Sequence, residues 1–124
     1  MEPASSAALS LALAANEIVP VTPGSVADGL NAPFAGDWTL ALGRRHLAGI
    51  VTLSDPEILG GVRFAAERMK QVLEPAGAAS LAAVLHGRIP LREGDRVCVV
   101  LSGGNVALDR LGELQAGAAP IPGL

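Results

Sequence analysis

The stretch Val97–Leu111, VCVVLSGGNVALDRL, changes character at Ser102. Before it runs an apolar segment without polar alternation, which predicts a strand over Arg96–Ser102. Such strands are buried on both faces, as in parallel sheets. After it come Gly103, Gly104 and Asn105, then a new apolar periodicity through Leu111 that predicts a helix. In open α/β sheets ligands lie beyond the carboxyl ends of strands, and Ser102 stands at such an end. Two glycines let backbone N–H groups approach a ligand closely. A serine hydroxyl can donate to, or accept from, an aromatic ring nitrogen. The pattern suits a small flat or anionic ligand, or else a plain glycine-rich turn between strand and helix.

Moving outward, the β-branched run Gly49–Ser54 predicts the other strand. Ser54-Asp55-Pro56-Glu57 follows it as a helix start: a capping serine, a proline in the first turn and a glutamate placed to reach back. That helix is predicted to run to Val72, with Ile58, Val62, Ala65, Ala66 and Met69 as its inward stripe. A further helix is expected over Glu74–Gly87, where Ala76, Gly77, Ala78 and Ala79 allow another backbone to come close. Arg88–Asp95 is a connecting loop. Toward the N-terminus, residues 4–16 and Trp38–Leu47 read as helices, with prolines, glycines and a short turn at Ser25–Leu30 between them. Residues 1–114 are expected to form one segment and 115–124 a flexible tail. The order helix, strand, helix, helix, strand, helix is α/β. Both strands call for neighbours on two sides, so the sheet is larger than these residues supply.

Composition narrows the function. Half of the 124 residues are hydrophobic, mostly Ala, Leu and Val, and the net charge is −3. This excludes a disordered chain. With no basic block and no aromatic platform, nucleic acid is not an expected partner. The apolar run Ala7–Ala15 is too short to span a bilayer and follows an acidic rather than a basic segment. No membrane association is expected. The one cysteine, Cys98, allows no internal disulfide, is expected in the core of its strand, and fits a reducing cytoplasm. Neither His46 nor His86 has a partner at metal-ligand spacing, and Ser80 lacks the glycines of a nucleophile elbow.

Four stretches then occur in a telling order: a Glu-Pro start (Met1-Glu2-Pro3), SVADGL, ERMKQVLEPAGAASLAAVL and VCVVLSGGNVALDRL. Over Met1–Leu111 the chain resembles the C-terminal part of the pyridoxal-phosphate-dependent serine/threonine dehydratases and serine racemases, the fold type II group. The resemblance implies part of a mostly parallel sheet flanked by helices. It implies that Ser102 hydrogen-bonds the pyridine nitrogen, with Gly103 and Gly104 as the turn beside the ring. Gly29 would line the pocket floor, and Glu74 would lie on the ring-nitrogen side, or else serve as a carboxylate favoured by a helix N-terminus. Glu2 matches a divalent-cation ligand and Ser6 a position that offers a backbone carbonyl. Ala8 stands where an acidic ligand would be, so that set is one carboxylate short. Lys70 and Asn105 match nucleotide-contacting positions of the animal serine racemases; otherwise they are a solvated amine and a turn residue.

The family anchors its cofactor on a lysine within a Ser-x-Lys-x-Arg-Gly segment and grips the phosphate with a glycine-rich loop. Neither occurs here, and Lys70 is the single lysine, expected inside a helix four residues before Glu74. The resemblance therefore implies a fragment of a lyase that converts serine or threonine to a 2-oxo acid and ammonia, inactive alone and completed by a missing N-terminal part. The alternatives are a serine racemase-type fragment, a non-catalytic module that self-associates through unpaired strand edges, a small-ligand sensor using the glycine loop, and a truncated-gene remnant.

Overall fold

A computed structural model describes all 124 residues. Two short strands, β1 (Glu2–Pro3) and β2 (Thr52–Leu53), pair in parallel, with Glu2 opposite Thr52 and Pro3 opposite Leu53. Around them stand α1 (Ala8–Ala15), α2 (Asp37–His46), α3 (Asp55–Phe64), α4 (Pro75–Leu85) and α5 (Leu108–Ala116). The α/β class holds, but the sheet within the chain has only these two strands.

The helix starts follow the sequence. Ser54 and Glu57 form the expected capping box on α3, and Pro75 opens α4. The Glu57 carboxylate accepts from the Ser54 N–H at 2.8 Å, and its other oxygen accepts from Arg88 Nε at 2.6 Å. Burial by itself would raise the Glu57 carboxyl. The two Ser54 hydrogen bonds and the Arg88 guanidinium outweigh it and hold that carboxyl below the usual range. Asn16 ends α1 in the left-handed region, as expected of a helix stop.

Small residues decide how α3 meets α4. A Cβ added at Gly61 would lie 2.9 Å from the Ala82 Cβ and 3.0 Å from the Ala78 carbonyl oxygen. The helices thus touch backbone to backbone. One layer of core, Leu53, Ile58, Ala79 and Ala82 with Ala27, lies toward β2; another, Val62, Ala65, Ala78, Leu81 and Leu111, lies toward α5. Ala12, Ala35 and Leu40 tie α1 to α2.

Five expectations are corrected. The N-terminal helix is a 3₁₀ turn at Ala4–Ser6 followed by α1, because the chain bends at Ala7, whose backbone is not helical (φ −85°, ψ 54°). The helix expected to reach Val72 passes into a π-turn over Ala65–Met69 and stops at Lys70, which is left-handed. The wider turn shifts the inward face, so Ile58, Val62 and Ala65 are buried while Ala66 is half-buried and Met69 exposed. Residues 96–102 form no strand. With no neighbour on either edge they lie along α4, and Val100 is 68% exposed. Cys98, expected in the core of that strand, is exposed for the same reason.

The last residues turn back over α3, where the Ala119 N–H donates to the Pro56 carbonyl at 2.8 Å. No helix is long and apolar enough to cross a membrane.

Candidate functional site

The first turn of α4 gathers the glycine loop. The Glu74 N–H donates to the Gly103 carbonyl at 3.1 Å, and the Asn105 N–H donates back to Glu74 Oε2 at 3.1 Å. One residue thus holds both sides of the loop, by its backbone and by its carboxylate. One helical turn on, the Ser102 N–H donates to the Gly77 carbonyl at 3.4 Å, and a further turn on the Ser80 hydroxyl donates to the Val100 carbonyl at 2.5 Å. Glu74, Gly77 and Ser80 are three apart, so they share a face of α4. That face takes over the role that sheet neighbours would otherwise play for residues 100–105.

Two glycines are required by this closure. A Cβ at Gly77 would fall on the Ser102 carbonyl, and one at Gly103 on the Glu74 carboxylate. Gly103 also has φ +72°, a region that side chains rarely enter. Gly104 lies against the Val72 carbonyl, 2.9 Å from where its Cβ would stand.

Some donors are left over. Ser102, Gly103 and Gly104 are exposed. The Ser102 hydroxyl makes no hydrogen bond within the chain, and the Gly103 and Gly104 N–H groups donate to no backbone carbonyl outside regular elements. Three consecutive residues therefore offer free donors at one corner. Gly29, in a 3₁₀ turn at Asp28–Leu30, closes the side of this corner. Its Cβ would lie 3.0 Å from the Ala76 Cβ and 3.9 Å from Glu74 Oε1. A hollow of about 110 Å³ adjoins it, lined by Val26, Asp28, Glu74, Asn105 and Arg110 among others.

The Gly29 segment is itself held by a carboxylate whose place in the sequence marks it only as part of a helix start. Asp55 accepts the Ser25 hydroxyl at 2.5 Å and the Val26 N–H at 3.0 Å. Asn31 Nδ2 donates to the Ser25 carbonyl at 2.7 Å, and the Ser6 hydroxyl donates to Asn31 Oδ1 at 2.6 Å. A polar chain from Ser6 to Asp55 thus fixes residues 24–31. In sequence, Asp55 is indistinguishable from any first-turn helix carboxylate, and Ser80 is one small residue among many.

The structure thus brings Gly29, Glu74, Ser102, Gly103, Gly104 and Asn105 together. Lys70 is not inside a helix with Glu74, as expected, but at the end of the π-turn, where its Nζ donates to the Glu67 carbonyl at 2.7 Å. It makes no hydrogen bond to Asn105. Glu2 and Ser6 lie at β1 and the turn after it.

The family described as pyridoxal-phosphate dependent enzyme matches residues 1–103, from β1 to the first glycine of the loop. The chain belongs to this family. Members of the pyridoxal-phosphate family to which it is similar include an L-threo-3-hydroxyaspartate ammonia-lyase of Pseudomonas sp, 36% identical over 96 residues, covering 77% of this chain and 30% of that protein. A serine racemase of Schizosaccharomyces pombe is 36% identical over 89 residues, covering 72% of this chain and 27% of its own. Among solved structures, a threonine deaminase from T.th. superimposes with a TM-score of 0.77 at 36% identity, covering 86% of this chain and 36% of that one. The chain spans about 30% of the length of the first of these relatives. The architecture is accordingly that of a portion of the fold type II pyridoxal-phosphate enzymes, and the family's cofactor is pyridoxal phosphate.

Proposed function

We propose that this chain forms the ring-nitrogen side of a pyridoxal-phosphate pocket in a lyase acting on β-hydroxy amino acids. The observation that carries the reading is the unpartnered Ser102 hydroxyl, next in sequence to Gly103, which packs against the Glu74 carboxylate that Gly29 also approaches. The residues fit the cofactor. Ser102 offers a neutral hydroxyl of the kind that pairs with a pyridine nitrogen, and the exposed glycines leave room for a flat ring beside it. When bound, pyridoxal phosphate supplies the electron sink that lets an amino acid lose its α-proton.

What these residues do follows from their chemistry. Ser102 orients the ring without forcing its nitrogen to stay protonated, which suits elimination, where a weaker sink suffices. Glu74 keeps the loop closed on α4, its carboxylate accepting the Asn105 N–H, and so orients the pocket. The net reaction takes a 2-amino-3-hydroxy acid to a 2-oxo acid and ammonia, and similarity to ammonia-lyases supports it. Racemisation begins with the same loss of the α-proton, which accounts for similarity to a serine racemase as well. The strand-like composition of residues 96–102, which pair with no strand of this chain, supports a place for it inside a wider sheet.

In this reading the α-proton is taken by a lysine that this chain does not supply. Lys70, the one lysine, is exposed and bonded to its own turn. The isolated chain, given pyridoxal phosphate and L-serine, L-threonine or L-threo-3-hydroxyaspartate, is therefore expected to release no 2-oxo acid in a dehydrogenase-coupled assay. Replacing the matched region of the Pseudomonas ammonia-lyase by residues 1–103 should give a chimera that does release it, and Ser102→Ala in that chimera should lower kcat/KM by about tenfold or more. Turnover by the isolated chain, or a folded chimera indifferent to Ser102→Ala, would overturn the proposal.

A further inference from the structure

Glu2 and Ser6 are the positions that the family resemblance assigns to a divalent cation, and their surroundings do not fit one. Glu2 Oε1 accepts the Leu9 N–H at 2.7 Å, while Oε2 accepts the Ser10 N–H at 2.9 Å and the Ser10 hydroxyl at 2.6 Å. Leu9 and Ser10 are in the first turn of α1. Free N–H groups and the helix dipole make that end positive. A divalent cation on the same oxygens would face this positive end and compete with three donors.

The neighbouring positions add at most one oxygen, the Ser6 backbone carbonyl. Ser6 is 1% exposed, and its hydroxyl is already engaged: it donates to Asn31 Oδ1 and accepts the Gly24 N–H at 3.1 Å. Ala8 is buried and has no side-chain oxygen. A hard cation takes about six or more oxygen ligands, carboxylates prominent among them. Nowhere do three or more His, Cys, Asp or Glu residues lie close enough to hold a metal ion.

The helix, in turn, needs what Glu2 provides. The residue before α1 is Ala7, which has no side chain to cap it. We infer that Glu2 is the remote N-terminal cap of α1, and that residues 2–10 of this chain are held without a divalent cation. The cap comes from six residues upstream of the helix, through the bend made by the Ala4–Ser6 turn. The inference is independent of the cofactor reading, because it concerns neither Ser102 nor its loop.

The test is calorimetric titration of the 124-residue chain with MgCl₂ and with MnCl₂, together with thermal melts in EDTA and in MgCl₂. No saturable binding is expected up to about 5 mM cation, and the melting midpoint should be the same in both buffers. Glu2→Gln should raise the unfolded-to-folded ratio about fivefold, equally in EDTA and in MgCl₂. Ser10→Ala, which removes one of three donors, should raise it about twofold and supplies the comparison if Glu2→Gln does not fold. Saturable cation binding that Glu2→Gln abolishes and Ser10→Ala spares would overturn the inference. So would a Glu2→Gln chain as stable as the original.

Discussion

Gly77→Ala is expected to destabilise the chain by about 2 kcal/mol and to release residues 100–104 from α4. In an exposed helix interior the same change would stabilise by about 1 kcal/mol, because glycine is the poorer helix former. The sign reverses here because the new Cβ would fall on the Ser102 carbonyl and lie 2.8 Å from the Gly103 carbonyl oxygen. Both neighbours are backbone and cannot swing aside as a flexible side chain would. The loop must move, which costs the Ser102-to-Gly77 and Glu74-to-Gly103 hydrogen bonds. Thermal melting measures the loss, and hydrogen exchange of the Ser102 and Asn105 amides locates it. A variant that melts at or above the original, with those amides equally protected, would contradict the close docking of the loop on α4.

Glu57→Ala should cost about 2 kcal/mol, since it removes the reciprocal half of the α3 capping box and the partner of Arg88 together. Glu57→Gln separates the two contributions. Glutamine can still accept the Ser54 N–H, but it loses the ion pair, worth about 1 kcal/mol or less because the Arg88 side chain is half exposed. The pH dependence has a definite sign. A carboxyl held below its ordinary value in the folded chain adds stability above its unfolded pKa, about 4.3. That stability is lost as pH falls through the folded value. The urea midpoint of the original chain should therefore fall on acidification below about pH 4.5, and Glu57→Gln should flatten that fall. Parallel curves for the two proteins would mean that Glu57 contributes nothing as an anion.

The structure follows the local signals in the sequence closely, and departs from it where a signal depends on distant chain. Ser54-Asp55-Pro56-Glu57 encodes its own cap, so the start of α3 is legible in four residues. Asn16 and Gly87, both at positive φ, mark the ends of α1 and α4 in the same local way. The small residues of α4 announce close approach, and Gly61 and Gly77 show whose backbone approaches. Residues 96–102 carry the composition of a buried strand, but a strand exists only with partners, and none lies within the chain. Val100 and Cys98 are exposed as a result. The π-turn at Ala65–Met69 has no mark in composition, and so regular helical spacing puts Met69 on the wrong face. At the site, the glycines and Glu74 are legible because the motif places them in order. Asp55, Ser80 and the capping role of Glu2 are not, because each acts across a separation of seven or more residues that no local pattern reveals.

The proposed contact of Ser102 and its glycines with the nitrogen side of a pyridine ring can be measured by an amide NMR titration of the 124-residue chain with 4-deoxypyridoxine, a pyridine that lacks the aldehyde and so cannot react with Lys70. Saturable shifts should concentrate at Gly29, Ser102, Gly103 and Gly104, and Ser102→Ala should weaken binding about fivefold, the worth of one hydrogen bond. Shifts scattered elsewhere, or the same affinity without the hydroxyl, would contradict the account.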